Sequence, residues 1–535
     1  MGSSCKIPGF NLYFYSKVYN MEIKFIRALV VWILAGILLL GCKQKNTSIT
    51  DSNPETAYYS EQYRPQYHFS PEANWMNDPN GLVFHDGLYH LFYQYYPDSV
   101  VWGPMHWGHA VSPDMIRWEH QQVALYPDSL GWIFSGSAVV DKGNTSGLGT
   151  NGNDPIIAIF THHNDTLEKK GSNDFQYQSL AYSNDNGKSF SKFAGNPVLK
   201  NPGIRDFRDP KVIWHDRTRQ WVMVLAAYDK AMFYTSPDLI NWNLSGEFGI
   251  PGDTRLWECP DLFSLKVDGT DEEKWILLVS IQQQAPNGGT ATAYFTGDFD
   301  GKSFKGNNKN LKWLDYGTDN YALVTWSNIS DGRVLGIGWM SNWLYAQKVP
   351  TQRWRSAMTL PRELKLYKRE NDYFISSMPV KELTTIEQES KVISSENMSG
   401  RITISPTSGI RVKFKKPAKG KVFVTLTNDM NEFAEIGYDA DRKAYFIDRT
   451  HAGDAGFYPD FAAVHYGHAD YVEEFIEMTV YLDHASIELF ADQGKCVMTE
   501  ILFPSSPFNL LIIPETVKKE DFLSGSYWHV QNIWR

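Results

Sequence analysis

From about residue 64 onward, apolar residues alternate with polar ones over short stretches separated by Gly, Asn, Asp and Pro. A period of two marks strands with one buried face, and the separators are turn formers, so the pattern predicts an all-β chain. One turn recurs in varied form: SPDMIRW at 112–118, SNDNGKSF at 183–190, SPDLINW at 236–242 and TGDFDGKSF at 296–304. Each ends on an aromatic, and the starts lie 71, 53 and 60 residues apart, the spacing of four-stranded propeller blades with loops of varied length. Blades are expected at about 77–119, 133–193, 206–244, 257–306 and 319–345, with segments near 65–70 or 354–366 completing the ring. After RWRSAMTLPRELKL the strands lengthen and the blade turn disappears, as in GIRVKFKK, GKVFVTLTN and FIEMTVYLDHASIELFAD. This tail predicts a β-sandwich of about 150 residues. The expected plan is a five-bladed β-propeller over 63–368, a helical or linker-like segment over 369–390, and a C-terminal β-sandwich over 391–535. Within the sandwich, SIELFAD is expected to bury a face against its sister sheet and the propeller edge.

The N-terminal region follows a different pattern. Residues 21–42 place Lys24 and Arg27 before an apolar run that ends Leu39-Leu40-Gly41-Cys42. The run is shorter than the ~20 residues of a membrane span and has the layout of a signal peptide. Its ending resembles a bacterial lipobox, with Cys42 as the lipidated residue and Met21 as the start of the signal. Residues 1–42 are therefore expected to be an N-terminal extension plus lipoprotein signal, and polar residues 43–62 a tether. The expected location is the outer membrane of a Gram-negative cell, facing periplasm or medium.

Composition narrows the partners. The 535-residue chain has a net charge of −10, which argues against a nucleic-acid partner, since that needs clustered cations. Aromatic residues make up 14% of it, with 18 Trp, enough for a packed β core and for surfaces on which sugar rings stack. Cys259 and Cys496 lack the spacing of a disulfide framework or metal site and read as buried small hydrophobes. His106, His109, His162 and His163 are not followed by a carboxylate or Cys at ligand spacing, so neither metal nor cofactor is expected. The turn at Asp185-Asn186-Gly187 lacks the other ligands of a calcium loop. The expected state is a monomer.

A second repeat carries the chemistry. MNDPNGLVFHDGLYHLFYQY, FRDPKVIWHDRTRQWVMVLAAY and ECPDLFSLKVDGTDEEKWILLVS each run from an acid and a proline into strand, turn and strand. Asp78, Asp209 and Glu258 thus take closely matching places in three blades. The first strand of each blade lines the propeller channel, so the acids should converge. Converging carboxylates repel one another and lose water, which separates their pKa values and equips one as an anion and another as a proton donor, as glycoside hydrolysis requires. Asp78, flanked by Asn77, Asn80 and backbone donors, is expected to be the anion. Glu258, between apolar neighbours in LWECPDL, suits the proton donor. Asp209, next to Arg208, is expected to stay ionised and grip hydroxyls.

In this order, WMNDPNG, FRDP and WECPD resemble the signatures of the family 32 glycoside hydrolases, which include β-fructofuranosidases, inulinases, levanases and invertases. The resemblance runs from about Tyr63 to the C-terminus and implies a five-bladed propeller followed by a β-sandwich. It implies Asp78 as nucleophile, Asp209 as transition-state stabiliser and Glu258 as acid/base, with the carboxyl groups of Asp78 and Glu258 about 5–5.5 Å apart. It further implies a terminal-fructosyl pocket containing Asn77, Gln94 of FYQY, Trp102 of WGPMHWGHA, Phe134 and Ser135 of FSGSA, and Arg208. WMSNW offers both Trp339 and Trp343; Trp343 is preferred because it precedes the loop over the channel mouth. The implied activity is retaining release of terminal β-D-fructofuranosyl units from levan- or inulin-type fructans and from sucrose. Two alternatives stay open, an endo-acting levanase or inulinase and a non-catalytic carbohydrate-binding lipoprotein.

Overall fold

The computed structural model describes residues 59–534 apart from 151, 308–310, 470 and 473. The expected signal peptide, Cys42 and most of the 43–62 tether lie outside the described residues.

Alternation and turns build five antiparallel sheets in chain order. Blade 1 is Asn74–His85, Leu88–Tyr96, His106–Ser112 and Glu119–His120. Blade 2 is Trp132–Val140, Ile156–His163, Gln176–Ser183 and Ser191–Lys192. Blade 3 is Phe207–His215, Gln220–Ala227, Lys230–Ser236 and Asn243–Gly249. Blade 4 is formed by Trp257–Lys266, Glu273–Ile281, Ala291–Phe299 and Phe304–Gly306. Blade 5 uses Tyr321–Thr325, Val334–Met340, Arg362–Arg369 and Asp372–Pro379. The five inner strands touch in succession, and blade 5 meets blade 1. A separate apolar cluster fills each gap, such as Val83, Phe92, Ile133 and Phe160 between blades 1 and 2 and Val222, Phe233, Trp257 and Leu277 between blades 3 and 4. Many of the aromatic residues lie here, because flat rings fill the wedge between twisted sheets.

Two expectations need correction. The segment over 369–390 is not a linker at its start: Asp372–Pro379 pairs with Arg362–Arg369 as the outer strand of blade 5, and a 3₁₀ turn, Lys381–Ile386, follows. The blade turn signal does not mark this strand because the hairpin turns at Arg369–Asp372 instead. The ring is joined at 354–366 and not at 65–70. Trp354–Arg355 adds in parallel to Asn74–Trp75 of blade 1, whereas 65–70 forms no strand and is buried, with the Phe69 carbonyl accepting from Met358 N at 2.8 Å.

Two six-stranded sheets form the sandwich. Ile487, Leu489 and Ala491 of Ser486–Ala491 enter its core, while Phe490 joins a cluster with Met76, Leu91 and Trp326 of the propeller. This strand is therefore buried on both faces, and its charged residue needs partners there. Glu488 receives Arg362 Nη2 at 2.6 Å and His68 Nε2 at 2.8 Å, all three side chains being fully buried. Arg362 also meets Asp315 at 2.9 Å and His68 meets Asp483 at 2.8 Å. The interface between propeller and sandwich is thus ionic as well as apolar.

Candidate active site

Every inner strand carries an extra residue at a corresponding level, and that of blade 1 carries a second between Asn80 and Val83. At the shared level, the register against the second strand slips between Met76 and Pro79, Ile133 and Gly136, Arg208 and Lys211, Glu258 and Asp261, and Tyr321 and Val324. In a regular strand, neighbouring side chains point to opposite faces; a bulge re-aims one of them. Consecutive pairs therefore reach one cavity: Asn77 and Asp78, Phe134 and Ser135, Arg208 and Asp209. Pro79, Pro210 and Pro260 fit here because a bulged position needs no ladder N–H. Asp209, Cys259 and Ala322 have φ of +63°, +43° and +53°, left-handed conformations that cost non-glycine residues of order 1–3 kcal/mol each and that the surrounding sheets must enforce.

The cavity has a volume of about 300 Å³. It is lined by all ten residues expected from the sequence: Asp78, Asp209, Glu258, Asn77, Gln94, Trp102, Phe134, Ser135, Arg208 and Trp343. Trp339, the competing tryptophan, is fully buried behind Trp343, with ring centroids 4.8 Å apart. One detail of the repeat is corrected. Aligned on their prolines, the three motifs set Cys259, not Glu258, opposite Asp78 and Asp209, so the acid stands one residue earlier in blade 4.

Asp78 accepts from Ser135 Oγ at 2.8 Å, Asn77 Nδ2 at 3.1 Å and Cys259 Sγ at 3.4 Å. Asn77 is fixed in turn by Trp75 Nε1 at 2.7 Å. Burial and the charge of Glu258 outweigh these donors and raise the Asp78 pKa above the ordinary carboxylate range. Asp209 accepts from Cys259 N at 3.0 Å, and its own N–H donates to Thr161 Oγ1 at 3.0 Å. Burial pushes it up to about 7; Arg208 opposes the rise, while Glu258 and Asp78 add to it. Burial therefore works against the expected ionised state of Asp209, and Arg208, shared among several acids, works for it. Arg208 Nη2 lies 2.9 Å from Glu258, Nη1 2.5 Å from Asp206 and Nε 3.8 Å from Asp209.

Glu258 does not have the apolar setting its chain neighbours suggested. Arg208 donates to its Oε1 and the Tyr321 hydroxyl to its Oε2. Burial, reinforced by the charge of Glu258, holds the Tyr321 hydroxyl well above its ordinary pKa, so it remains a donor. The Cys259 thiol is likewise held protonated by burial and by the surrounding acids.

Several lining residues escaped the sequence. Asp206 stands just before the strand Phe207–His215 with a left-handed φ of +58°, a placement that strand alternation does not signal. His163 stacks on Phe134 with centroids 4.3 Å apart and lies 3.1 Å from Glu168 of the short helix Asp165–Lys169. His163, Gln176, Gln282 and Gln347, and Tyr321 buried behind Glu258, carried no local signal, because only ring closure brings them here. Below the acids, Lys211 Nζ is held by Asp261 Oδ2 at 2.9 Å and by Thr325 O at 2.7 Å. These buried groups close the channel.

Residues 68–377 match the Glycosyl hydrolases family 32 N-terminal domain, and residues 379–529 match the Glycosyl hydrolases family 32 C terminal. A levanase of Bacillus subtilis is 47% identical over 472 residues, covering 84% of this chain and 68% of that protein. An extracellular exo-inulinase of Aspergillus niger is 37% identical over 488 residues, covering 84% and 91%. The crystal structure of exo-inulinase from Aspergillus awamori superposes with a TM-score of 0.81 at 34% identity, covering 89% of this chain and 100% of that chain.

Proposed function

The chain belongs to glycosyl hydrolase family 32, and on that premise we propose that it is a retaining β-fructofuranosidase that removes terminal fructosyl units from fructans. The observation that carries this reading is the meeting of Asp78, Asp209 and Glu258 in one cavity. In the first step, an Asp78 oxygen bonds to the anomeric carbon as the glycosidic bond breaks, and Glu258 gives its proton to the departing oxygen. In the second, Glu258 takes a proton from water, which attacks the fructosyl ester and releases fructose with configuration retained. Asp209 and Arg208 grip the hydroxyls of the ring. Ser135, Asn77 and the Cys259 thiol steady the Asp78 anion, and the Tyr321 hydroxyl steadies Glu258. A non-catalytic sugar-binding role would leave this convergence of three acids without a purpose.

The channel closed at its base favours exo action, since a chain end seated beside Asp78 has no way on past Lys211. Chromatography of early products from inulin and levan is expected to show fructose alone. A ladder of fructo-oligosaccharides at early times would establish the endo alternative instead.

For location, the extracellular exo-inulinase relative supports action outside the cytoplasm. We read Cys42 as the lipid attachment point, with the following Lys43 suiting retention in an outer membrane. Labelled fatty acid should enter the wild-type protein, and Cys42→Ala should move the enzyme from the membrane fraction to the soluble one. Absence of label from the wild type would rule the anchor out.

A further inference from the structure

The cavity wall carrying Trp343 and Gln347 belongs to the propeller, yet it is pinned from the sandwich. Residues 342–349 form a tight turn in which Ala346 N donates to Asn342 O at 2.8 Å and Val349 N to Tyr345 O at 3.2 Å. These are helix-like four-residue steps, so Trp343 and Gln347 share one face and Tyr345 points the other way. Trp343 and Gln347 line the cavity. Tyr345 is buried against Phe461 and Tyr458 of the sandwich, with ring centroids 5.2 Å and 5.5 Å away.

The Tyr345 hydroxyl is the fixed point. It donates to Asp319 Oδ1 at 2.7 Å and receives Arg449 Nη2 at 3.2 Å. Arg449, from the sandwich, is itself held by Asp319 and Glu500, each at 2.7 Å, and by the carbonyls of Phe461 at 2.8 Å and Ile501 at 3.0 Å. Its guanidinium lies 3.9 Å from the centre of the Phe461 ring. Arg449 therefore has no freedom to shift without breaking several buried contacts, and neither has the hydroxyl it grips. At the cavity end, Trp343 stacks on Trp75, whose Nε1 orients Asn77 beside Asp78.

We propose that Arg449 and Tyr345 are positioning residues through which the sandwich sets the wall of the sugar-binding cavity and so tunes affinity for the fructan chain. The proposal deepens the fructosidase reading and rests on it. Among the described residues, none from the sandwich lines the cavity; the sandwich fixes the turn that does. Binding should therefore suffer more than chemistry when the link is cut, because Asp78, Asp209 and Glu258 stand on inner strands and the turn reaches Asp78 alone, indirectly through Trp75 and Asn77.

The test compares Tyr345→Phe, which deletes only the hydroxyl, with Arg449→Lys, which keeps the charge but loses the fork. The control is Arg362→Lys in the neighbouring ionic cluster, which touches Asp315 and Glu488 but not Tyr345. KM and kcat are measured on a fructo-oligosaccharide, with Tm for each variant. For Tyr345→Phe, KM is expected to rise about tenfold while kcat stays within about threefold, the signature of lost binding and not of lost transition-state contact. Arg449→Lys should shift KM in the same direction, and Arg362→Lys should lower Tm with KM unchanged. If both turn variants keep wild-type KM, or if KM follows Tm across all three, the positioning role is overturned. Wild-type turnover separately tests the reading beneath it: an active wild type with unaltered variants refutes only the inference, and a wild type inert toward every fructoside refutes both.

Discussion

Asp78→Asn is expected to lower kcat by about three or more powers of ten while leaving the protein as stable as the wild type or more so. The loss follows from role: an amide in place of the carboxylate cannot form the fructosyl ester. The gain follows from burial. The folded-state pKa of Asp78 is raised, so at any pH above it the ionised side chain opposes folding, and a neutral isostere removes that opposition. The same environment predicts that the acid limb of kcat/KM lies above the ordinary carboxylate range, because the free enzyme must ionise Asp78 to react. Glu258→Gln should also lose about two to four powers of ten. Unlike Asp78→Asn, it should recover its first step on a fructoside whose leaving group departs without a proton. Steady-state kinetics across acid and neutral pH, with thermal melts at neutral pH, check all of this. A folded Asp78→Asn enzyme keeping more than about a tenth of wild-type kcat would remove Asp78 from the nucleophile's role.

The second large effect concerns the sandwich. A propeller expressed alone, over residues 59–380, is expected to be insoluble or unfolded. Separation would expose Met76, Leu91, Trp326 and Leu335 on one side and Tyr481, Phe490 and Trp528 on the other. It would also strand Arg362, His68 and Asp319, whose counter-charges Glu488, Asp483 and Arg449 lie in the sandwich. Removing one member of such a buried cluster is itself severe, so Arg362→Met in the intact chain should cost about 3–5 kcal/mol. His68 adds a pH signature. Burial opposes its charge, but hydrogen bonds and attraction from Asp483 and Glu488 raise its pKa from 6.5 to about 9. A raised histidine stabilises fully below its unfolded pKa and ceases to do so as pH climbs through the folded one. About 3 kcal/mol should thus fade between roughly pH 6.5 and 9. Denaturant melts across that window, with His68→Gln as the flat reference, measure it. A stable and fully active isolated propeller would refute the obligatory interface.

Much of this molecule was legible as text because its local rules are simple. Period-two alternation identified the strands, the Ser/Asp/Gly turns marked the blades, and the three acid-proline motifs placed the chemistry at the start of the inner strands of blades 1, 3 and 4. A carboxylate beside a proline at a strand mouth is a local fact, and local facts survive in sequence. What alternation cannot encode is a bulge. One extra residue in each strand brought Asn77 together with Asp78, and Arg208 with Asp209, into one cavity. Motif alignment set Cys259, not Glu258, opposite the other acids. The apolar neighbours of Glu258 in the chain proved irrelevant to its surroundings, because Arg208 and Tyr321 arrive from positions 50 before and 63 after it. Trp343 over Trp339, the closed channel below Lys211 and the grip of Arg449 on Tyr345 were decided the same way. Each depends on where ring closure and the docking of two domains bring residues from distant parts of the chain, and those distances are set by packing of the whole molecule, not by the order of residues along any one strand.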